Sequence, residues 1–263
     1  MSAPVNLGPL ELGLAALLVL GSAGASLVLG LGLGKRLVVA GVRASLQLAL
    51  LGLLLRWVFS IEGPWLVVAC MLVMGLVAGR EAVRRTTHSV PGQLRMSVGV
   101  MLWSSMAVSL YGLIVVLRVD PWYTPQYAIP LLGLVLGNTL NGIALGLETA
   151  VSGFVLERDQ VELLLAHGAT RREAARAVVR RAIRTGMIPI MNSMVAAGIV
   201  SIPGMMTGQI LSGADPSSAA RYQILVLFII AGGVALGTIG AVLGATRLVF
   251  DDRDRLRLDR IRS

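Results

Sequence analysis

Met191, Met194, Met205 and Met206 crowd one apolar stretch of the chain, together with Asn192, Ser193 and Gln209. Thioethers favour soft cations such as Cu(I), whereas Fe(II) prefers imidazole and carboxylate; adaptable packing is the other use of methionine. The run Ser201-Ile202-Pro203-Gly204 interrupts the same stretch. Proline removes a backbone donor and clashes with the preceding turn, and glycine permits unusual dihedrals. At membrane depth such backbone is tolerated where it is buried in protein or lines a watery cavity, the setting in which transporters bind or gate substrate. A proline kink packed against neighbouring helices is the alternative use of these residues.

Other polar side chains in apolar stretches are few. Asn138 and Asn141 lie one helical turn apart amid Gly133, Gly137, Gly142 and Gly146, and Gln47 follows Arg43 by one turn. Amide side chains in hydrocarbon face other helices, either as interhelical hydrogen bonds or along a substrate path. Glu148 ends its stretch, where an ion pair with nearby arginines is expected. His88 and His167 have no Cys or second His at ligand spacing, and Cys70 is the single cysteine, so a zinc cage and an intrachain disulfide are excluded. The only lysine, Lys35, precedes Arg36 rather than Ser or Thr, so no Walker A loop exists here. With no Ser-His-Asp set or G-x-S-x-G elbow, catalysis by this chain is not expected, and any ATPase must be a separate subunit.

These side chains need elements to position them. The 263 residues are 56% hydrophobic and 14% charged, against about 25% charged in soluble domains, which excludes a soluble enzyme. Seven stretches are long and apolar enough to approach the ~30 Å bilayer core: 10–33, 37–60, 64–79, 96–117, 128–147, 187–211 and 222–249. The first begins Met-Ser-Ala-Pro without a basic region, so a true span rather than a signal peptide is expected. Of 23 basic residues, Lys35, Arg36, Arg80, Arg84, Arg85, Arg95, seven arginines from Arg158 to Arg184, and six from Arg247 to Arg262 fall on one side. Positive residues mark the cytoplasm. The expectation is an all-α polytopic membrane protein of the cell (plasma or inner) membrane, one transmembrane domain over residues 1–263. It has seven transmembrane helices, the N-terminus outside and the C-terminus cytoplasmic.

Outer loops are short, at 61–63, 118–127 and 212–221. The large soluble segment, 157–184, lies between spans five and six and reads as helix, break, helix: 161–167, a C′ glycine at Gly168, a capping box of Thr170 and Glu173, then 171–184. A DNA-binding helix-turn-helix is the rival, but without a third supporting helix a docking element fits better, and no nucleic-acid partner is expected. The basic tail, 251–263, alternates Asp and Arg and suits a solvated helix end against anionic membrane lipid. Gly233/Gly237 and Gly240/Gly244 in span seven mark close helix packing, a dimer interface among its uses.

The residues also carry a resemblance. Asn192-Ser193-Met194, then Gly198 to Leu211 with its Ser201-Ile202-Pro203-Gly204-Met205-Met206-Thr207-Gly208-Gln209 core, then Gly213-Ala214-Asp215-Pro216 and Ala220-Arg221-Tyr222-Gln223, resemble the signature of FetB-type ABC permeases. These are iron exporters with plant relatives linked to aluminium tolerance. Arg43 to Leu48, Pro130 to Gly146 and Gly168-Ala169-Thr170 with Glu173-Ala174 match as well, so the resemblance spans nearly the whole chain. It implies a dimerising permease subunit that exports metal ions and binds a separate ATPase, which holds the ATP and magnesium; no cofactor belongs to this chain. The 157–184 segment becomes the coupling element, with Glu162, Gly168, Thr170 and Glu173 at its centre. Glu162 and Gly168 keep the E-x5-G spacing of importer coupling loops, while the later I-x-L-P part is absent. The implied substrate path is Gln47, Asn138, Asn141, Asn192, Met194, Pro203, Met205, Met206 and Gln209, with Met205 and Met206 as metal contacts. An ABC permease for a nucleotide sugar or lipid, and a carrier driven by an ion gradient, are the alternatives. Proton-coupled carriers bury Asp, Glu or His in their spans, and here Arg43 alone is clearly charged at depth.

Overall fold

In the computed structural model, residues 8–59, 63–251 and 253–261 are described, and these are helical throughout apart from turns and isolated bridges. The N-terminal Met-Ser-Ala-Pro, Ser60, Ile61, Glu62, Asp252, Arg262 and Ser263, which enter the expectations above, lie outside the described residues. Six helical stretches are long and apolar enough to cross a membrane: Leu10–Val28, Gly34–Val58, Pro64–Arg84, Gln93–Val116, Pro125–Leu156 and Pro216–Val249. The chain is an all-helical multi-pass membrane protein. Its contacts divide into two units, Met1–Glu62 and Gly63–Ser263.

The first unit is a helical hairpin of α1 (Pro9–Val28) and α2 (Gly34–Val58). Its turn needs positive φ at Gly30 (65°) and Gly32 (67°). Ser26 fastens it, its carbonyl accepting from Leu31 N–H and its hydroxyl from Leu33 N–H. A Cβ on Gly34 would lie 3.0 Å from the Ala23 carbonyl, so glycine sets how closely the two helices meet.

The second unit holds α3 (Pro64–Arg84), α4 (Gln93–Tyr111) continued by a π-turn Gly112–Val116, α5 (Pro125–Leu156), α6 (Arg158–Ala166), α7 (Arg171–Ala174), α8 (Arg176–Ala196), α9 (Gly204–Leu211) and α10 (Pro216–Val249). Proline at the first turn starts α3, α5 and α10, where its missing N–H costs nothing. The Asp215 carboxylate caps α10 by accepting from Ser218 N–H at 2.9 Å. At α5 and α10 these start signals extend the helices outward from the expected span limits and shorten the expected loops 118–127 and 212–221, while α3 starts where expected. At 1.5 Å per residue, α5 and α10 reach ~50 Å, well beyond a bilayer core.

Glycines set the helix register. Cβ atoms on Gly142 and Gly146 of α5 would meet Thr238 and Val242 of α10, and one on Gly233 would meet Val135, so α5 and α10 run parallel. Gly240 and Gly244 face Val100 and Met96 of α4. The glycine pairs of α10 thus mark close helix packing as expected, and the helices they meet are α5 and α4 of the same chain. The order of partners Gly153–Val178, Gly146–Ala182 and Gly142–Gly186 makes α8 antiparallel to α5.

Two expectations change at α8. The helix expected over 171–184 does not end there: α8 runs from Arg176 through Pro189 to Ala196, so the last part of the docking segment and the inner half of the expected sixth span are one helix. The stretch 187–211 is in turn not one helix, since the chain leaves α8 at Ala197 and resumes in α9 at Gly204.

At the arginine-rich end a separate apolar core joins Val151 and Phe154 of α5, Val161 of α6, Ala174, Val178 and Phe250, with the Phe154 and Phe250 rings edge to face at 5.7 Å. The tail folds onto it. Arg257 N–H donates to the Val249 carbonyl at 2.9 Å, and Leu256, Leu258 and Ile261 pack against the cluster. A solvated helix end was expected; the apolar residues interleaved with the charges turn the described tail back instead.

Candidate functional site

The break between α8 and α9 is a compact, glycine-dependent loop. Gly198 takes φ 84°, its N–H donates to the Ser201 carbonyl at 2.9 Å, and the Ala196 carbonyl accepts from Val200 (3.0 Å) and Ser201 (3.2 Å). Pro203 then begins α9, with φ −60° and no donor to satisfy. Beside the break an open depression of about 440 Å³ lies against α10, lined by Asn192, Ser193, Ser201, Pro203, Gln223 and Leu227. The Gln223 carbonyl oxygen is buried without a hydrogen-bond partner among the described residues, as is that of Gln209 on α9. Burying such an acceptor unpaired costs about 1–3 kcal/mol, which an arriving donor or cation would recover.

The expected path residues divide. Asn192 and Pro203 line the depression. Met205, Met206 and Gln209 are half-buried on α9 outside its lining, and Met194 is exposed. Continuing the α5–α8 register by one turn sets Asn138 level with Ile190, close to the height of Asn192. Asn138 donates to the Leu134 carbonyl at 2.9 Å, and Asn141 accepts from Arg85 Nη1 at 3.0 Å. Gln47 is exposed on α2, in the other unit. Ser201 and Gln223 were not singled out as path residues; the resemblance already carried both, but only the fold sets them beside Asn192. Among the described residues no group of three His, Cys, Asp or Glu converges to hold a metal.

Glu148 departs from expectation. Its carboxylate accepts from Thr87 N–H at 2.7 Å and from Ser152 Oγ at 3.1 Å, and Ser152 Oγ lies 3.3 Å from His88 Nδ1. Among the described residues it pairs with no arginine. The α3–α4 loop folds over α5, so a backbone N–H reaches the carboxylate before any guanidinium does.

The docking segment is ordered by its own caps. Glu162 pairs with Arg158 at 2.9 Å within α6. Gly168 ends that helix at φ 85°. Thr170 and Glu173 form the expected capping box: the Glu173 carboxylate accepts from Thr170 N–H and Oγ1, each at 2.8 Å, and Thr170 Oγ1 accepts from Glu173 N–H at 3.4 Å. The Thr170 backbone N–H, then its hydroxyl, hold the Glu173 carboxyl below the usual carboxylate range. In the tail, the Arg255 backbone N–H, helped by that of Arg253, holds Asp251 low in the same way.

Six long apolar helices among the described residues, together with a shorter helix that breaks beside an amide-lined depression, define a polytopic membrane protein with irregular backbone at its polar site. The chain belongs to the family described as "Uncharacterised protein family (UPF0014)", whose profile matches residues 9–250. It is 39% identical to the UPF0014 membrane protein slr1647 of Synechocystis over 90% of this chain and 93% of the relative. It is 32% identical to protein ALUMINUM SENSITIVE 3 of Arabidopsis thaliana, over 75% of this chain and 71% of that one. To the probable iron export permease protein FetB of Escherichia coli it is 28% identical, over 81% of each. No solved structure matches the chain.

Proposed function

We propose that this chain is the transmembrane permease subunit of an ABC transporter that exports metal ions, iron first among them, with ATP hydrolysed by a separate subunit. The observation that carries the reading is the reach of α8: one helix starts next to the α7 turn capped by Thr170 and Glu173 and ends at the amide-lined break beside Asn192. A push on α6 and α7 would reach the break along this helix, in which Pro189 leaves one ladder donor missing between the two ends. The name of the Escherichia coli relative supports the direction and the cargo.

In this reading the latter half of α8 and α9 together make a sixth span, which gives seven spans, the N-terminus outside and the arginine-rich end in the cytoplasm. The two units act as one permease, and two copies of the chain enclose the path. Asn192, Ser201 and Gln223 replace part of the hydration of a passing cation, with Asn138 and Gln209 along the route. Met205 and Met206 stand beside it on α9 as the softer contacts. Neutral oxygens bind a divalent ion weakly, which suits a conduit that must release its cargo. The same neutral lining favours a second reading, a hydroxyl-rich non-metal cargo such as a nucleotide sugar.

Co-purification tests the assembly. The chain expressed with its cognate ATPase is expected to retain it through detergent extraction and to stimulate its ATP hydrolysis. Loss of that stimulation with retained binding is expected for Gly168→Pro, which blocks the turn between α6 and α7. Failure of the two chains to associate would overturn the ABC assignment.

A further inference from the structure

At the arginine-rich end of the second unit, α7, α8 and α10 enclose a groove of about 720 Å³ that the path above does not use. Arg171, Arg172, Arg176, Arg180 and Arg247 line it. Arg171 is held by Asp254 at 3.3 Å; the other four have no ion-pair or hydrogen-bond partner among the described residues. Glu157 pairs with Arg181, Glu162 with Arg158, Asp251 with Arg255, and Asp259 with Arg257, and the Glu173 carboxylate accepts from Thr170. Four uncompensated guanidinium groups in one concavity repel one another, and the repulsion falls when an anion enters.

The floor is apolar. Val179 and Ile183 lie on the same α8 face as Arg176 and Arg180, at three- and four-residue spacing, and Leu243 of α10 faces them with 45% of its surface exposed. The groove therefore straddles the point at which both helices pass from arginine-rich to apolar sequence, which is where a bilayer surface lies. A free phosphate or nucleotide would satisfy the cations and leave Val179, Ile183 and Leu243 bare. An anion joined to an acyl chain satisfies both, and basic pockets between helices at a membrane surface take such headgroups.

We infer that this groove is a binding site for one acidic phospholipid, its phosphodiester among Arg172, Arg176, Arg180 and Arg247 and its acyl chain along Val179, Ile183 and Leu243. The site braces the first turns of α8 against α10 beside the docking segment, at the end of α8 away from the break. The inference requires α10 to lie in a bilayer and does not depend on the ABC reading.

Native mass spectrometry of the full chain, titrated with phosphatidylglycerol or with phosphatidylcholine of the same acyl chains, tests it. One phosphatidylglycerol is expected to bind about tenfold more tightly than phosphatidylcholine. The double variant Arg176→Gln/Arg180→Gln is expected to erase that preference, Arg176→Lys/Arg180→Lys to keep most of it, and Arg158→Gln to leave it unchanged. The single variant Arg247→Gln gives the same reading, a partial loss of preference, should the double variant fail to fold. Equal binding of the two lipids by the wild-type chain would overturn the site. So would displacement of the lipid by an equal concentration of inorganic phosphate, which would mark a free-anion site, or an equal loss in Arg158→Gln.

Discussion

A Cβ built on Gly186 of α8 would stand 2.6 Å from the carbonyl oxygen of Gly142 in α5 and 2.5 Å from Thr238 Cγ2 of α10. Three helices meet at this point with no side chain between two of their backbones. The contact fixes the height of α8 against α5, and with it the height of the break above.

Gly186→Ala is therefore expected to destabilise the detergent-solubilised protein by about 1–3 kcal/mol through overpacking, read as a lowered melting temperature. Gly137→Ala, on the same α5 helix where a Cβ meets nothing within 4 Å, is expected to be neutral. Equal effects at the two positions would contradict the packing argument.

The Glu148 carboxylate fastens the α3–α4 loop to α5 through Thr87 N–H. Glu148→Ala is expected to cost about 1 kcal/mol and to speed hydrogen exchange at Thr87, whereas Ser152→Ala removes the 3.1 Å bond to Glu148 and the 3.3 Å contact with His88 but keeps the Thr87 bond, and is expected to leave exchange at Thr87 slow. Unchanged exchange at Thr87 in Glu148→Ala would remove this role.

The docking cap has a pH signature. A carboxyl whose folded pKa is depressed contributes stability above its unfolded value and loses it as pH falls through the folded value. Glu173 is depressed from 4.5 by Thr170, so the α7 start is expected to stay capped at neutral pH and to fray as pH drops below the usual carboxylate range. Exchange at 171–174 followed down to about pH 3.5 reads this. Thr170→Ala is expected to cost about 1 kcal/mol at neutral pH and to flatten the pH dependence; an unaltered profile would contradict it.

Much of this architecture was readable from residue pattern. Apolar runs located the helices, arginines marked one face, and Thr170 with Glu173 announced a cap that the structure contains. What pattern could not show depended on tertiary contact. Helix α8 continues past four arginines because Val178, Ala182 and Gly186 bury one side of it, a face hidden among charges. Gly233 and Gly237 showed close packing but not with which helix. Asn192 and Gln223 are 31 positions apart, and only the return of α10 past the break sets them in one depression.

Side chains at the break separate packing from contact with cargo. Met205→Leu/Met206→Leu keeps shape and removes both thioethers; a severalfold fall in transport with unchanged melting temperature is expected if they touch the ion. Unchanged transport would reduce them to packing. Gln223→Leu removes an orphaned buried oxygen and is expected to raise stability while lowering transport; a fall in both would contradict its place on the path.

The central claim, export of metal ions driven by a partner ATPase, is tested most directly in inside-out vesicles that contain this chain and its cognate ATPase. Radiolabelled iron is expected to accumulate when ATP is added to the active ATPase and not when its catalytic glutamate is replaced. Accumulation independent of ATP, or none at all from a stable complex that hydrolyses ATP, would contradict it.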